Sequence, residues 1–445
     1  GFVPMSKADR RVARSDPRHS VARLVFMKTR DYSPPARPEF LPVTDSIAHP
    51  TSVSTAEQAE AKRNAIILAM ASAIASSAPP VAITLGGLAG LYLLGSDKSL
   101  ATLPVSGFNL GVAIGAIPAA MLMRAVGRRL GFLSGATAGI AGGVVAALAV
   151  IYGVFPGLVV GFMLVGFAGA FAQQYRFAAA DSGDAKFRAR AISWVMIGGI
   201  AAAIIGPQTV ILTRDLLAPI PFAGAFFAIS VLAALSMVIV SFLSGQARLP
   251  PPRATAKGGR SLGEIARQPR FVVAVLCGVG SYGLMSLVMT AAPLAMVACG
   301  LGEDNAALGI QWHVLAMFGP SFIAGSLIAR YGVDVIVTIG MALLAACGIV
   351  ALSGIDLAPF WGALILLGLG WNFGFIGATT MLTETYRPEE RGKVQGLNDF
   401  LIFGSVAVAS FSSGSLFTSS GWNMVNYVIF PVVGVCVLAL AFGFF

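Results

Sequence analysis

From Asn64 onward, apolar runs of about twenty residues alternate with short polar or basic breaks. A hydrocarbon core about 30 Å thick is crossed by roughly 20 helical residues, so each run is long enough to span a membrane. Twelve runs fit, near 64–94, 103–124, 131–153, 157–180, 190–213, 220–243, 271–295, 306–329, 335–354, 359–383, 394–417 and 422–445. Their richness in Gly and Ala suits helices that pack closely in lipid. Residues 1–63 differ in kind: they are polar, rich in Arg, Ser and Pro, and without a long apolar run, which predicts a disordered basic tail. That tail lacks the apolar core of a secretory signal, and its scattered acids argue against a transit peptide.

Composition excludes a water-soluble globule. The chain is 56% hydrophobic and 11% charged, with a mean hydropathy of +0.81, whereas soluble domains carry about 25% charged residues. With a cytoplasmic N-terminus and twelve spans, 28 of the 30 Lys and Arg residues face the cytoplasm and only Lys98 and Arg214 lie outside. This is the asymmetry that sets orientation. The net charge of +10 then reports topology and contact with anionic lipid, not nucleic-acid binding. Ser244 to Arg270 forms one long basic linker, with a possible short surface helix in SLGEIARQ. It divides the chain into 64–243 and 271–445, each holding six runs. Cys277, Cys299, Cys347 and Cys436 have no metal or redox spacing and read as small apolar fillers.

The two halves repeat. AMLMRAVGRR, from Ala120 to Arg129, returns 205 residues later as GSLIARYGVD, from Gly325 to Asp334. Asp181 precedes Arg188 by seven residues, and Glu384 precedes Arg391 by seven, 203 residues further on. Both pairs of matches fall between runs of the same order in each half, as duplication of one membrane unit requires.

Twelve spans in two halves, a long central linker, and a G-x-L-x-D-R-x-G-R-R type loop after spans two and eight resemble the major facilitator superfamily of secondary transporters. The loop matches at Leu122, Gly127, Arg128 and Arg129, and again at Gly325, Leu327, Arg330 and Gly332. Arg124 and Ala329 stand where the family carries an acid. Gly206-Pro207 in span five resembles the Gly-Pro signature of proton-linked exporters in that family, although Ala202 and Ser193 replace further glycines. The resemblance implies an all-α fold of two homologous six-helix bundles with cytoplasmic termini in a bacterial inner membrane. It also implies that spans one, four, seven and ten line a central cavity. The candidates for cargo contact there are Ser77 and Thr84, Gln173 and Gln174, Tyr282, and Trp371 with Asn372.

Ionisable residues at lipid depth are costly and so invite functional readings. Spans one and seven carry no Asp, Glu, Lys, Arg or His. Elsewhere three stand out: Arg176, His313 and Asp399. His313 and Asp399 are the candidates for proton coupling, His313 because its ordinary titration range is near neutrality. Asp399 lies six residues beyond Lys393, about 9 Å into span eleven. With Arg124 in the family's acid position, an Arg124–Asp399 pair is expected to close the inner gate. Arg176 reads as a headgroup anchor, as a partner of Asp181, or as a contact for an anionic cargo. The seven-residue pairs Asp181/Arg188 and Glu384/Arg391 are expected to clamp successive spans.

None of the apolar runs contains an HExxH, a GxSxG or a pair of acids, which excludes the usual intramembrane enzymes. The scattered polar positions do not suggest the rings of a channel. The expected function is secondary transport of a small, uncharged or amphipathic organic solute by a monomer, with no cofactor and no metal expected. Coupling to protons is expected, with a slight lean to efflux. Uptake of a vitamin-like or aromatic metabolite is the main alternative, and a sensor or lipid-handling protein on the same fold is the other.

Overall fold

The computed structural model describes residues 55–95, 98–179, 185–244 and 259–442, and these are helical with short connections. Residues 1–54 of the expected tail lie outside the described residues, whereas 55–63 form the first turns of a helix. The first span is two helices, α1 (Thr55–Ala75) and α2 (Ala78–Leu93). Pro79 and Pro80 explain the break, since proline offers no N–H and its ring crowds the preceding turn. Ser77 bridges the gap, its Oγ donating to Ala73 O at 2.8 Å. Helices α3 (Leu103–Val126) and α4 (Arg128–Ile151) follow, then α5 (Phe155–Ala172) and α6 (Tyr175–Ala179), interrupted at Gln173 and Gln174. Helices α7 (Ala185–Thr213) and α8 (Ala223–Ser241) complete the part before the linker.

After the linker, the short α9 (Leu262–Ala266) is opened by Ser261, whose Oγ accepts from the Glu264 N–H at 3.2 Å. The chain continues through α10 (Pro269–Ala298), α11 (Gly302–Phe318) and α12 (Ser321–Tyr331). The last two are bent by 41° at Gly319-Pro320. Helices α13 (Val333–Ala351), α14 (Leu357–Thr383), α15 (Arg391–Tyr427) and α16 (Ile429–Phe442) end the described chain. Ten helical stretches among the described residues are long and apolar enough to cross a membrane, or eleven if the bent α11–α12 pair is one span.

The repeat read from sequence has a conformational counterpart. Gly127 ends α3 with φ 87° and ψ 164°, and Gly332 ends α12 with φ 88° and ψ 153°. Each donates its N–H back to the preceding helix, to Met123 O at 3.1 Å and Ile328 O at 2.9 Å. A positive φ of this kind is open to glycine at little cost and strained for a residue with a Cβ. The two loops therefore need glycine at the same point.

Contacts between the residues before the linker and those after it are gathered at one end. There α7 meets α11, α3 meets α15, and α2 meets α10 and α11. Leu294 and Ala307, from beyond the linker, are buried in the apolar cluster formed by α2, α3, α4, α5, α7 and α8. The polar bonds at this end also cross. Asn109 donates to Ser410 Oγ at 3.1 Å, the Gly414 N–H donates to Thr102 Oγ1 at 3.1 Å, and Gln208 donates to Gln311 Oε1 at 3.1 Å. Arg214 pairs with Asp304 at 2.7 Å.

At the opposite end, the principal neighbours of α1, α6 and α12 all belong to their own side of the linker. Asn64 exchanges two bonds with Ser244, at 3.0 and 3.2 Å, between the first and sixth spans. Arg270 pairs with Asp334 and with Glu384, the latter at 2.9 Å, joining the starts of α10 and α13 to the end of α14. These bonds hold each half together without joining one to the other.

Candidate functional site

An aromatic cluster occupies the middle of the second half. Tyr282 on α10 meets three rings edge-on: Trp371 at 5.3 Å, Phe375 at 5.1 Å and Phe403 at 6.0 Å between centroids. Trp371 and Phe375, one helical turn apart on α14, stack at 5.1 Å and 18°. Phe318, at the end of α11, closes on Trp371 at 6.1 Å. Tyr282, Phe375, Phe403 and Phe318 are only half-buried, while Trp371 is 6% exposed. Such a wall presents both faces and edges of rings, which suits stacking and T-shaped contact with a flat aromatic solute.

Arg176, from α6 in the first half, lies within electrostatic reach of both Tyr282 and Asp399. Arg176 and Asp399 are both exposed, on the side where the two halves stand apart. The expected Arg124–Asp399 pair is not made in this structure. Arg124 is exposed at the end of α3, and Asp399 interacts with Arg176 and with Asn398, whose Nδ2 donates to it at 3.4 Å.

Several sequence candidates are withdrawn from the cavity by their own bonds. Asn372 is fully buried, its Nδ2 donating to Met317 O at 2.6 Å and to Ser321 Oγ at 2.7 Å. Met317 O lies one turn before Ser321, at the Pro320 break, so the amide replaces a bond the bent span has lost. His313 is also fully buried and bonds through Nδ1 to Leu364 O at 2.8 Å, between α11 and α14. Thr84 Oγ1 donates to Pro80 O at 2.7 Å, and neither Thr84 nor Ser77 is exposed. Gln173 is exposed and Gln174 half-buried, both at the interruption of span four.

The loop residues are placed as follows. Arg128 is buried beneath Gly127, Arg129 is half-buried, and Arg330 lies over the Tyr331 ring at 5.1 Å. A Cβ added at Gly325 would meet nothing outside its own helix within 4 Å. Glu384 bonds Arg270 and not Arg391, whose Nε donates to Gln395 Oε1 at 3.4 Å. Asp181 and the side chain of Arg188 lie outside the described residues. Gly206 and Pro207 have a packing role: a Cβ on Gly206 would fall 2.7 Å from Ser77 O and 2.9 Å from Pro80 Cβ, so α7 crosses span one at its break. Of the cysteines, Cys299 is exposed and not a filler.

Two arrangements escape a reading of the sequence. Gln208 and Gln311 meet across the halves from helices 103 residues apart. At the basic end, Glu390 accepts from Arg260 at its backbone N, at Nε (3.0 Å) and at Nη2 (2.8 Å), and from the Arg387 N–H at 3.0 Å. Arg260 Nη2 also donates to Thr385 O at 2.9 Å, and Lys393 Nζ donates to Arg260 O. The Arg260 guanidinium and the Arg387 N–H hold the Glu390 carboxyl well below the usual carboxylate range. A crevice inside the first half is lined by Phe132, Phe171, Tyr175 and Ser236, with Ala78 and Pro79 of the first span. No group of three or more His, Cys, Asp or Glu able to hold a metal exists among the described residues.

The sequence profile of the Major Facilitator Superfamily matches residues 64–410 and 305–445. The chain is 52% identical over 380 residues to the riboflavin transporter RfnT of Brucella anthropi, covering 85% of this chain and 95% of that one. It is 28% identical over 360 residues to the MFS-type transporter YddS of Bacillus subtilis, covering 77% and 82%. The crystal structure of a mutant of the nucleoside transporter NupG has the same fold, with a TM-score of 0.62 at 14% identity over 86% of this chain and 99% of that one. The chain belongs to the major facilitator superfamily, as a multi-pass membrane transporter of a small-molecule substrate.

Proposed function

We propose that this transporter carries a flat heteroaromatic vitamin of the riboflavin kind into the cell by alternating access. The observation that carries the proposal is the ring wall made by half-buried Tyr282, Phe375 and Phe403 with Trp371 buried behind them, which offers stacking surface where a charged or sugar-like solute would need polar groups. The 52% identity to a riboflavin transporter supports the vitamin over export of a drug-like solute. The lean to efflux rested on Gly206-Pro207, and the contact of Gly206 with Ser77 and Pro80 supplies a packing reason for that dipeptide in either direction of transport.

The chain crosses the membrane twelve times in this reading. The stretch Arg391–Phe442, one of the ten apolar helical stretches, is 52 residues long, about 78 Å of helix against a core of about 30 Å. Gly421, with φ 77°, divides it into two spans. Ten, plus one for that division and one for the bent α11–α12 pair, makes twelve. An even count puts both termini and the basic loops in the cytoplasm. The two six-helix bundles, 64–243 and 271–445, then touch on the outer side and stand apart on the inner side, an inward-facing state of a monomer bounded by lipid.

Proton coupling falls to Asp399 more readily than to His313. Asp399 is exposed at the inner mouth beside Arg176, so both halves feel its charge, whereas His313 is sealed between α11 and α14. Accumulation of labelled riboflavin by proteoliposomes under an imposed proton gradient tests the whole reading. Uptake above empty vesicles, lost in Asp399→Asn, is expected. Reconstituted protein that moves no riboflavin in either direction would sink it.

A further inference from the structure

We infer that the Gln208–Gln311 pair is the specificity element of the cavity and reads a cyclic imide edge, C(=O)–NH–C(=O), of the cargo. This rests on the proposal above that the cargo is a flat heteroaromatic vitamin. Gln208 on α7 and Gln311 on α11 come from opposite halves and share one hydrogen bond of 3.1 Å. A primary amide has one acceptor oxygen and one NH₂ donor, so a single bond between two amides leaves one free oxygen and one free NH₂. That remains true whichever way the two amides are turned. Here the free groups are Gln208 Oε1 and Gln311 Nε2, and neither is sealed from its surroundings, since both side chains are half-buried.

The position fits the ring wall. Gln311 and Phe318 are seven residues apart on α11, two turns and nearly one face, which separates them by about 10 Å along the axis. Phe318 closes on Trp371, so α11 carries the amide and one edge of the aromatic cluster on the same side. A three-ring solute lying along that face would rest its apolar end on the rings and bring its polar end to the two amides. There Gln208 Oε1 accepts the imide N–H while Gln311 Nε2 donates to a flanking carbonyl. Because the amides belong to different halves, the same contact tells both halves that the cavity is filled.

The test is a fluorescence-quenching titration of the detergent-purified protein with riboflavin and with 3-methylriboflavin, which keeps the rings and replaces the imide N–H by N–CH₃. The wild type is expected to prefer riboflavin by about tenfold, the worth of one net hydrogen bond. Gln208→Leu should weaken riboflavin by about tenfold and bring the ratio of the two affinities toward one, whereas Gln311→Leu, which loses only the bond to a carbonyl that both flavins carry, should weaken both by about tenfold. In Gln208→Leu, an altered balance between conformations would weaken both ligands equally and leave the ratio at the wild-type value, which would overturn the inference. Equal binding of the two flavins by the wild type would overturn it without reference to any variant. If the wild type binds neither flavin, the vitamin reading itself fails, and the inference with it.

Discussion

Arg214 and Asp304, from opposite halves of the chain, meet at 2.7 Å across the closed end, with Glu303 at 3.8 Å and Asp215 at 3.0 Å around the same guanidinium. Arg214 is the single Arg or Lys that the twelve-span topology places outside apart from Lys98. Its side chain is 16% exposed and that of Asp304 54%, so solvent screens the pair and the bond is worth about 0.3–1 kcal/mol. Arg214→Ala is expected to raise the outward-open population about two- to fivefold, seen as faster labelling of a cysteine introduced at Asn109 by a membrane-impermeant thiol reagent. The swap of Arg214→Asp with Asp304→Arg should restore the wild-type rate, and unaltered labelling in the single variant would show the pair to be idle.

Tyr282→Ala removes the ring that three others meet edge-on. It should weaken riboflavin at least tenfold, since each aromatic pair adds about 0.5–1.5 kcal/mol beyond the area it buries. Tyr282→Phe keeps the rings and should stay within a few-fold of the wild type. The same quenching titration measures both, and equal affinity in Tyr282→Ala would place the cargo elsewhere.

Asn372→Ala should act on stability before it acts on cargo. The change strands Met317 O at the bend of α11–α12, at a cost of about 1–3 kcal/mol. The melting temperature of the ligand-free protein is therefore expected to fall. A variant with wild-type melting and selectively poor flavin binding would return Asn372 to the cavity wall.

Glu390 governs a pH dependence with a definite sign. Its folded carboxyl is held below its ordinary range near 4.3. Its contribution is thus complete above that range and is lost as pH falls toward the folded value. The wild-type melting temperature should lack any step from Glu390 between neutral pH and about pH 5. Glu390→Gln should melt lower across that whole interval, and should lose less than the wild type on going to still lower pH.

Much of the fold could be read directly. Span length follows from bilayer thickness, and Gly127 and Gly332 marked equivalent turns before either φ was known. The boundaries of function were harder to see, for a physical reason. A polar residue at mid-span satisfies itself with whatever lies beside it, and for Asn372 that neighbour is a carbonyl 55 residues away. Glu384 was matched to Arg391 by a spacing of seven, yet Arg270, 114 residues distant, lies closer in space. The pairing of Gln208 with Gln311 is invisible in the sequence because an uncharged amide in an apolar run carries no sign of its partner. Tyr282 and Trp371, picked out as aromatic residues on spans that the family resemblance makes cavity-lining, come together in one ring cluster, whereas Gln173 and Gln174 lie at the interruption of span four.

The bonds of Arg260 to Glu390 and Thr385, with Ile265 fully buried beside them, assign the last stretch of the linker to the second half. Expressed as two separate polypeptides, the molecule would tolerate a cut upstream of Gly259, because the downstream piece keeps its own hook. A cut between Arg260 and Pro269 would strand Glu390 without its cation. The linker is in this sense the opening segment of the later-made half, and that half leaves the ribosome carrying the part that fastens its own inner loops.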